Sequence, residues 1–546
     1  MNPRAALMEV LRTEGVDRIF GNPGTSELPL MDELVDVKDI HYVLALQEAS
    51  AVAMADGYAR GTGRPAFVNL HIAAGLANGL ANVLNARRSH TPLVVTAGQQ
   101  DRRHLVQDPM LSGDLVAMAG SICKMSVEVD RADDLATVVR RAFLAAQAPP
   151  TGPVFVSIPM DLLEEAVDVD VPERSLVRRD AVAGGVEEAA ASLATAERPA
   201  IVAGDGIARE GALAEVVRVA ETVGATVYAE PLNDAVVFPA SHALFGGMMA
   251  PANAAIRGFL GNHDVVLVVG AVAFMPYPYT PVGAVPADVE LLQIDPDPYE
   301  IGRTYPVTIG MVGSVKATLG ALADQLDGRV VSAAERLRSA QLRKEAANKN
   351  FDDVARARYS PAPIDPMAAA HGLIDGLPDG GIVVDEAVTT GVYVRNFLAP
   401  SEPGRYHFTI GGGLGWALGA AIGVKMARPE APVLAVIGDG STMYALQGLW
   451  TAAHDDVPVV FAVVNNAEYR ILKQGLDGLS GLSAKKSTYV GMDLFPPHID
   501  FVGLARALGV AAERVDDAAD VAGAVRAAFE SGAPALVEVP IKRSDA

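Results

Sequence analysis

Gly438-Asp439-Gly440-Ser441 follows the apolar run Val433 to Ile437, and Asn465-Asn466 closes a second apolar run, Val457 to Val464. Unbroken apolar runs of this length, ended by turn residues, read as strands buried on both faces of a parallel sheet. The two runs deliver one carboxylate and one amide oxygen to neighbouring strand ends, where open α/β sheets place their ligands. Asp439 and Asn466 are hard oxygen donors of the kind Mg²⁺ uses while it also holds phosphate oxygens. Gly440 lets the backbone come close to a diphosphate. Gly-Asp-Gly alone is an ordinary turn. The pair, each half after an apolar strand, is what points to a metal and a diphosphate.

Working outward, a chain of 546 residues, 50% of them hydrophobic, is too long for one core and suggests three or four units. The formal net charge of −22 argues against nucleic acid or an anionic membrane as a partner. The single cysteine, Cys123, excludes an intrachain disulfide and suits a reducing compartment. Met1 to Gly15 lacks the apolar core and cleavage site of a signal peptide; Leu7, Val10, Leu11 and Glu14 give it the spacing of an amphipathic helix. No run has the length of a membrane span, so a cytoplasmic protein is expected.

Three α/β blocks follow. The first, residues 1–175, alternates apolar strands (Ala66 to Leu70, Leu93 to Ala97, Val154 to Ile158) with Ala-rich helices, as a sheet covered on both faces requires. Asp168 to Asp180 reads as a linker. The second block, residues 181–345, holds Ala200 to Ala203 before Gly204-Asp205-Gly206, and Asp264 to Gly270. Neither glycine turn completes the dinucleotide fingerprint, so a structural domain without nucleotide is expected. Residues 331 to 360 read as a solvated helical connector, and 360–546 carry the paired motif. The fold class is α/β, three Rossmann-like doubly wound parallel sheets.

The paired motif resembles that of thiamin-diphosphate enzymes, and other segments agree: Phe20 to Gly24, Ala45 to Ala49, Asn69-Leu70-His71, Thr96 to Gln100 and Gly411 to Gly415. The resemblance runs from Gly15 to about Pro540 and is closest to the 2-oxoacid decarboxylase and carboligase group, the benzoylformate decarboxylases in particular. It implies that the first and third blocks are diverged copies of one fold, the PYR and PP domains, around a middle domain. It implies thiamin diphosphate with Mg²⁺, for which Ca²⁺ could stand in; FAD is not expected. It also implies active sites shared between two chains, hence a homodimer at least and a homotetramer by expectation.

Residue by residue, the resemblance makes Glu48 the partner of the aminopyrimidine ring, Gly412 the carbonyl acceptor for its amino group and Leu414 the wedge that bends the cofactor. Asn78 would border the ring, and Ser441, Tyr469, Thr389 and Thr390 would help Gly440 hold the diphosphate. The metal would take Asp439, Asn466 and the backbone carbonyl of Glu468, whose acidic side chain is expected to point to solvent. His71, at the end of a strand, matches an active-site histidine suited to moving protons near neutral pH. Thr25, followed by Ser26, stands where the family has a serine.

Two departures bear on substrate and mechanism. Tyr277, in Phe274 to Tyr279, stands where benzoylformate decarboxylases carry a second histidine; a phenol titrating near ~10 is a poor proton shuttle. In the substrate pocket Ile471-Leu472 and Gly475 shift bulk relative to the family, and the segment Gly475 to Pro497 carries Lys485-Lys486, a solvated loop or a lid drawing acidic substrates. The function expected is decarboxylation of a 2-oxoacid to an aldehyde, with carboligation to an acceptor aldehyde. The alternatives are a dedicated carboligase of the acetolactate synthase type or a 2-hydroxyacyl lyase, a nucleotide-dependent oxidoreductase, and a catalytically silent protein of the same fold.

Overall fold

The computed structural model describes residues 1–348 and 351–544. Its first sheet contains β1 (Arg18–Gly21), β2 (His41–Leu44), β3 (Ala66–Leu70), β4 (Leu93–Gln99), β5 (Ser126–Glu128) and β6 (Val154–Pro159). Its middle sheet contains β7 (Ala200–Ala203), β8 (Thr226–Ala229), β9 (Phe245–Met248), β10 (Val265–Val269), β11 (Glu290–Asp295) and β12 (Ile309–Val312). Its third contains β13 (Ile382–Glu386), β14 (Tyr406–Phe408), β15 (Val433–Gly438), β16 (Val460–Asn465), β17 (Ala511–Arg514) and β18 (Ala535–Pro540). β3, β4, β6, β7, β10, β13 and β18 are buried along their whole length, which is why they read as apolar runs rather than as alternating ones.

The strand orders carry the main information. The first sheet runs β2-β1-β3-β4-β6-β5 and the third β14-β13-β15-β16-β18-β17, the same order once each is counted from its own first strand. The middle sheet runs β12-β11-β10-β7-β8-β9, which is the doubly wound dinucleotide-fold order with its reversal between β7 and β10. The fold class read from sequence is therefore the one observed, and the two outer sheets share one wiring.

The chain forms two compact units, Met1–Ser175 with Ala355–Phe397 and Gly411–Ala546, and Leu176–Val354 with Leu398–Ile410. In the first, the helices Glu48–Thr62 and Trp416–Ala427 cross at backbone distance. A Cβ on Gly57 would stand 2.0 Å from the Ala420 carbonyl oxygen, and one on Gly423 1.9 Å from that of Met54. The seam is fastened by the Trp416 indole, which donates to Asp56 at 2.7 Å, and by Arg60, which pairs with Asp56 at 2.8 Å. One apolar core spans both sheets here, from Phe20, Val52 and Met54 to Trp416, Ile437 and Phe461.

In the second unit the expected glycine turns face each other. Gly206 would place a Cβ 2.6 Å from the Gly270 Cα, so the two turns fill the crevice at the sheet's reversal. Carboxylates gather at these strand ends. Asp205 accepts from the Asp234 and Ala235 backbone, and burial pushes Glu230 up to about 8 and Asp295 up to about 7. Met1 to Gly15 does form the amphipathic helix Pro3–Thr13, with Leu7, Val10 and Leu11 buried. The 331 to 360 connector contains helices Ala333–Asn348 and Phe351–Arg356; residues 349–350 within it lie outside the described residues. Among the described residues no helix is long and apolar enough to cross a membrane.

Candidate active site

Apart from Tyr277, the site residues named from sequence lie in the first unit, in two clusters and a glycine loop. The first is built on the ends of β1, β2 and β3. Glu48 opens the Glu48–Thr62 helix, half-buried rather than sunk in the apolar run that surrounds it in sequence, and Asn78 donates to it at 3.0 Å. His71 caps the helix Ile72–Arg88. Gly75, one turn on, separates the two: a Cβ there would lie 3.0 Å from Glu48 Oε1 and 3.4 Å from the His71 Cβ. The Glu48 carboxylate and the base of the His71 side chain thus flank one glycine.

Sequence reasoning passed over Glu27. Its buried carboxylate lies 2.8 Å from His71 Nδ1 and accepts from the Gly24 and Gly98 N–H groups, each at 2.9 Å. A carboxylate that already takes two backbone N–H bonds makes Nδ1 the protonated nitrogen, which leaves Nε2 for proton exchange. Ser26, also buried, donates to Glu27 at 2.8 Å and sits 3.3 Å from His71 Nδ1, while Thr25 is exposed. Ser26 rather than Thr25 therefore touches the histidine. Glu27 stands next to the first matched loop, but its partner His71 lies 44 residues on, so its role is not visible locally.

The second cluster lines an open cleft between the ends of β13, β15 and β16. Its walls include Thr389, Thr390, Leu414, Asp439, Gly440, Ser441, Asn466, Glu468, Tyr469 and Ile471; Leu472 is exposed and is not one of them. Asp439 is 4% exposed, and its Oδ2 is buried without a hydrogen-bond partner. Burial pushes this carboxyl up to about 6. Such an orphaned oxygen beside an amide suits a cation that brings its own phosphate and water ligands. No trio of His, Cys, Asp or Glu among the described residues is arranged for a metal, which leaves this mixed carboxylate–amide–carbonyl set as the candidate.

Gly440 lines the cleft and also makes room for a ring, since a Cβ would meet Tyr469 Cε1 at 2.6 Å. One expectation needs correcting. The Glu468 side chain does not reach solvent: it is fully buried and takes the Lys473 ammonium at 2.6 Å. A buried carboxylate needs such a partner, and Lys473, five residues on in the first turn of the Arg470–Leu479 helix, supplies it.

Between the clusters stands the Gly411 to Gly415 loop. Gly412 has φ +82° with open space on its Cβ side, a backbone conformation that suits glycine. The loop is held from both sides. Asn85 pairs with Gly413 in both directions, donating at 2.8 Å and accepting at 2.9 Å. Glu386, buried and pushed up to about 7 by that burial, accepts from the Gly415 and Ala417 N–H groups, each at 2.8 Å. Neither residue was legible as part of the site. Asn82 adds a link, donating to the Ala49 carbonyl at 2.8 Å and accepting from Asn85 at 2.6 Å. Asn78, Asn82 and Asn85 thus run along one helix from Glu48 to the glycine loop.

Tyr277 lies in the second unit, 70% exposed. Gly475 to Pro497 is more than a solvated loop. It completes the helix Arg470–Leu479, adds Leu482–Lys486 with Lys485 and Lys486 exposed, and returns so that Asp493 bridges to Glu468.

Comparison with known proteins shows the family. Models of the thiamine pyrophosphate enzyme family match in three places: the N-terminal TPP-binding domain at residues 1–118, the central domain at 186–322 and the C-terminal TPP-binding domain at 387–539. The chain is 35% identical to benzoylformate decarboxylase of Pseudomonas aeruginosa, over 98% of both chains. It is 27% identical to the acetolactate synthase large subunit of Haemophilus influenzae, over 92% of this chain and 88% of that one. Among solved structures, the thiamine diphosphate-dependent 4-hydroxybenzoylformate decarboxylase of Rhodococcus jostii RHA1 matches with a TM-score of 0.87 at 31% identity, over 100% of both chains.

Proposed function

This chain belongs to the thiamine pyrophosphate enzymes, and from that premise we propose that it decarboxylates a 2-oxoacid to an aldehyde, R–CO–COO⁻ + H⁺ giving R–CHO + CO₂. The observation that carries the reading is the Glu48–His71 pair around Gly75, with Glu27 fixing the imidazole. When bound, thiamin diphosphate supplies the electron sink that lets an acyl carbanion form as CO₂ leaves. The chain must hold that group and manage one proton.

Asp439, Asn466 and the Glu468 carbonyl would hold Mg²⁺, or Ca²⁺ in its place, with Ser441, Thr389, Thr390 and Tyr469 around the diphosphate. The orphaned Asp439 Oδ2 supports that set. Glu48 would hold a proton at the pyrimidine, Gly412 would accept from its amino group, and Leu414 would set its angle. His71 would give the incoming proton to the carbon that lost CO₂, from Nε2, with Glu27 stabilising the charged imidazole. The contact of Gly206 with Gly270 supports a middle domain without FAD. The domain limits 1–175, 181–345 and 360–546, assembly as a homodimer or homotetramer and a cytoplasmic location belong to the same reading.

Carbon–carbon bond formation is favoured by one observation. The phenol Tyr277 in place of a second imidazole removes one candidate proton donor, so an acceptor aldehyde has longer to compete with the proton. The test is CO₂ and aldehyde release across 2-oxoacids from pyruvate to benzoylformate, with and without added thiamin diphosphate, Mg²⁺ and acceptor aldehyde. Release that needs the cofactor and vanishes in Glu48→Gln is the expected result. Cofactor binding with no CO₂ from any acid would sink the decarboxylase reading.

A further inference from the structure

The Glu468 carboxylate has a surrounding that the family reading does not require. Besides Lys473, it accepts from the Ser544 N–H at 2.7 Å and the Ser544 hydroxyl at 3.1 Å, and Arg543 lies 3.6 Å away. Lys473 and Arg543 both also pair with Asp493, at 2.8 and 2.6 Å. Two cations thus balance two carboxylates, and the metal loop, the end of the 475–497 segment and the C-terminal tail meet in one network.

The backbone between the two metal-side residues is strained. Ala467 has φ +52°, a left-handed conformation that crowds its Cβ. Its N–H donates to the Asn465 side chain at 3.0 Å, and its carbonyl accepts from the Leu494 N–H at 2.8 Å and from Arg543 at 3.3 Å. Tyr469 N–H donates to the Met492 carbonyl at 2.8 Å, extending the pairing. Arg543 also lies over the Phe495 ring, 4.4 Å from its centre. Strain of this kind persists only where the surroundings over-determine it.

We propose that Lys473, Arg543 and Ser544 are positioning residues: a charged latch by which the C-terminal tail holds the Asn466 to Glu468 loop in the shape that binds metal and diphosphate. The latch does two separable things. Lys473 neutralises Glu468, a carboxylate that would otherwise face an anionic cofactor; Arg543 pins Ala467 in its strained conformation. Undocking of the tail opens the loop and releases the cofactor. The proposal rests on the reading of Asp439, Asn466 and Glu468 as the metal side of a thiamin diphosphate site.

Each half has its own rescue. Lys473→Met, which keeps the length of the stem, is expected to weaken thiamin diphosphate binding with Mg²⁺ by about tenfold or more in calorimetric titration, because it takes the nearest cation from a buried carboxylate. Lys473→Met with Glu468→Gln is expected to recover most of that loss. A chain ending at Lys542 is expected to lose a similar factor, and Ala467→Gly in that shortened chain to regain about fivefold by relieving the left-handed strain. A readout without cofactor is trypsin cleavage after Lys485 and Lys486, which should be faster in the cofactor-free Lys473→Met and shortened chains than in the cofactor-free native one. Unchanged affinity and cleavage in both would overturn the latch. So would losses that neither second substitution repairs, which would mean ordinary structural damage. If the native chain binds no thiamin diphosphate, the family site reading fails instead, and the cleavage rates still decide whether the tail secures the segment.

Discussion

The first and third sheets have one wiring and opposite chemistry. Counted from its own first strand, each runs 2-1-3-4-6-5, and the corresponding strand ends can be compared directly. After the third strand stands His71 in one and Asp439 in the other. After the second stands Glu48 in one and the Gly411 to Gly415 loop in the other. After the first stands Glu27 in one, while in the other Glu386 is the last residue of the strand itself. One copy places proton-handling groups at its strand ends, the other oxygen donors and bare backbone. The lesson is that the sheet fixes where ligands sit, and a few residues beyond each strand decide what they are.

The sharpest test of that division exchanges function at equivalent ends. Glu48→Gln is expected to lower kcat by about 10³-fold while thiamin diphosphate affinity falls less than about tenfold, since the proton chemistry goes and the diphosphate side stays. Asp439→Asn is expected to do the reverse, costing about 100-fold in cofactor affinity measured by titration. If both variants lost affinity and turnover alike, the division between the two sheets would be wrong.

A smaller effect concerns the histidine and its support. His71→Ala is expected to lower turnover by about 10²-fold, and Glu27→Gln by about tenfold, with the pH–rate limb assigned to His71 moving in Glu27→Gln. An unmoved limb would make Glu27 a packing residue only. Smaller still is the loop support. Asn85→Ala and Glu386→Gln each leave buried backbone groups of the glycine loop unpaired, which should cost about 1–3 kcal/mol in chemical unfolding. Gln is informative at position 386 because it can accept only one of the two N–H bonds that Glu386 takes.

How much of this was legible follows from locality. Buried parallel strands announce themselves as apolar runs, so Val433 to Ile437 and Val457 to Val464 gave both strands and the residues just beyond them. Glu27, Asn85 and Glu386 did not show, because their roles depend on contacts across 44, 328 and 29 residues of chain. Glu468 was misjudged for the same reason: Lys473 is close in sequence, but Ser544 lies 76 residues on. The carboxylates of the middle sheet were likewise invisible as a group.

That middle sheet supplies the weakest and most distinctive effect. Its strand order differs from that of its neighbours, its glycine turns close on each other, and its buried acids are held up: Glu230 to about 8 and Asp295 to about 7, both mainly by burial. A carboxyl whose folded-state value is raised binds protons more readily folded than unfolded. Its contribution is fully present below the unfolded value, near 4.5 for Glu230, and is lost as pH rises through about 8. The calorimetric transition of this unit should therefore move down by a few degrees between about pH 5 and 8, and Glu230→Gln should flatten that slope. A slope unchanged by the substitution would assign the pH dependence elsewhere.

The seam between the Glu48–Thr62 and Trp416–Ala427 helices has a consequence for anyone who would redesign this protein. Where Gly57 meets Ala420 and Gly423 meets Met54, no side chain intervenes, so a library has nothing there to vary: any added carbon pushes both halves apart at once. Substitutions beyond the strand ends, by contrast, change one half and leave the register of the other intact. Diversity spent on exposed positions such as Thr25 and Ile471 can search for new substrates while Glu27 and Lys473 keep their partners. The same effort spent along the seam would mostly yield chains that fail to fold.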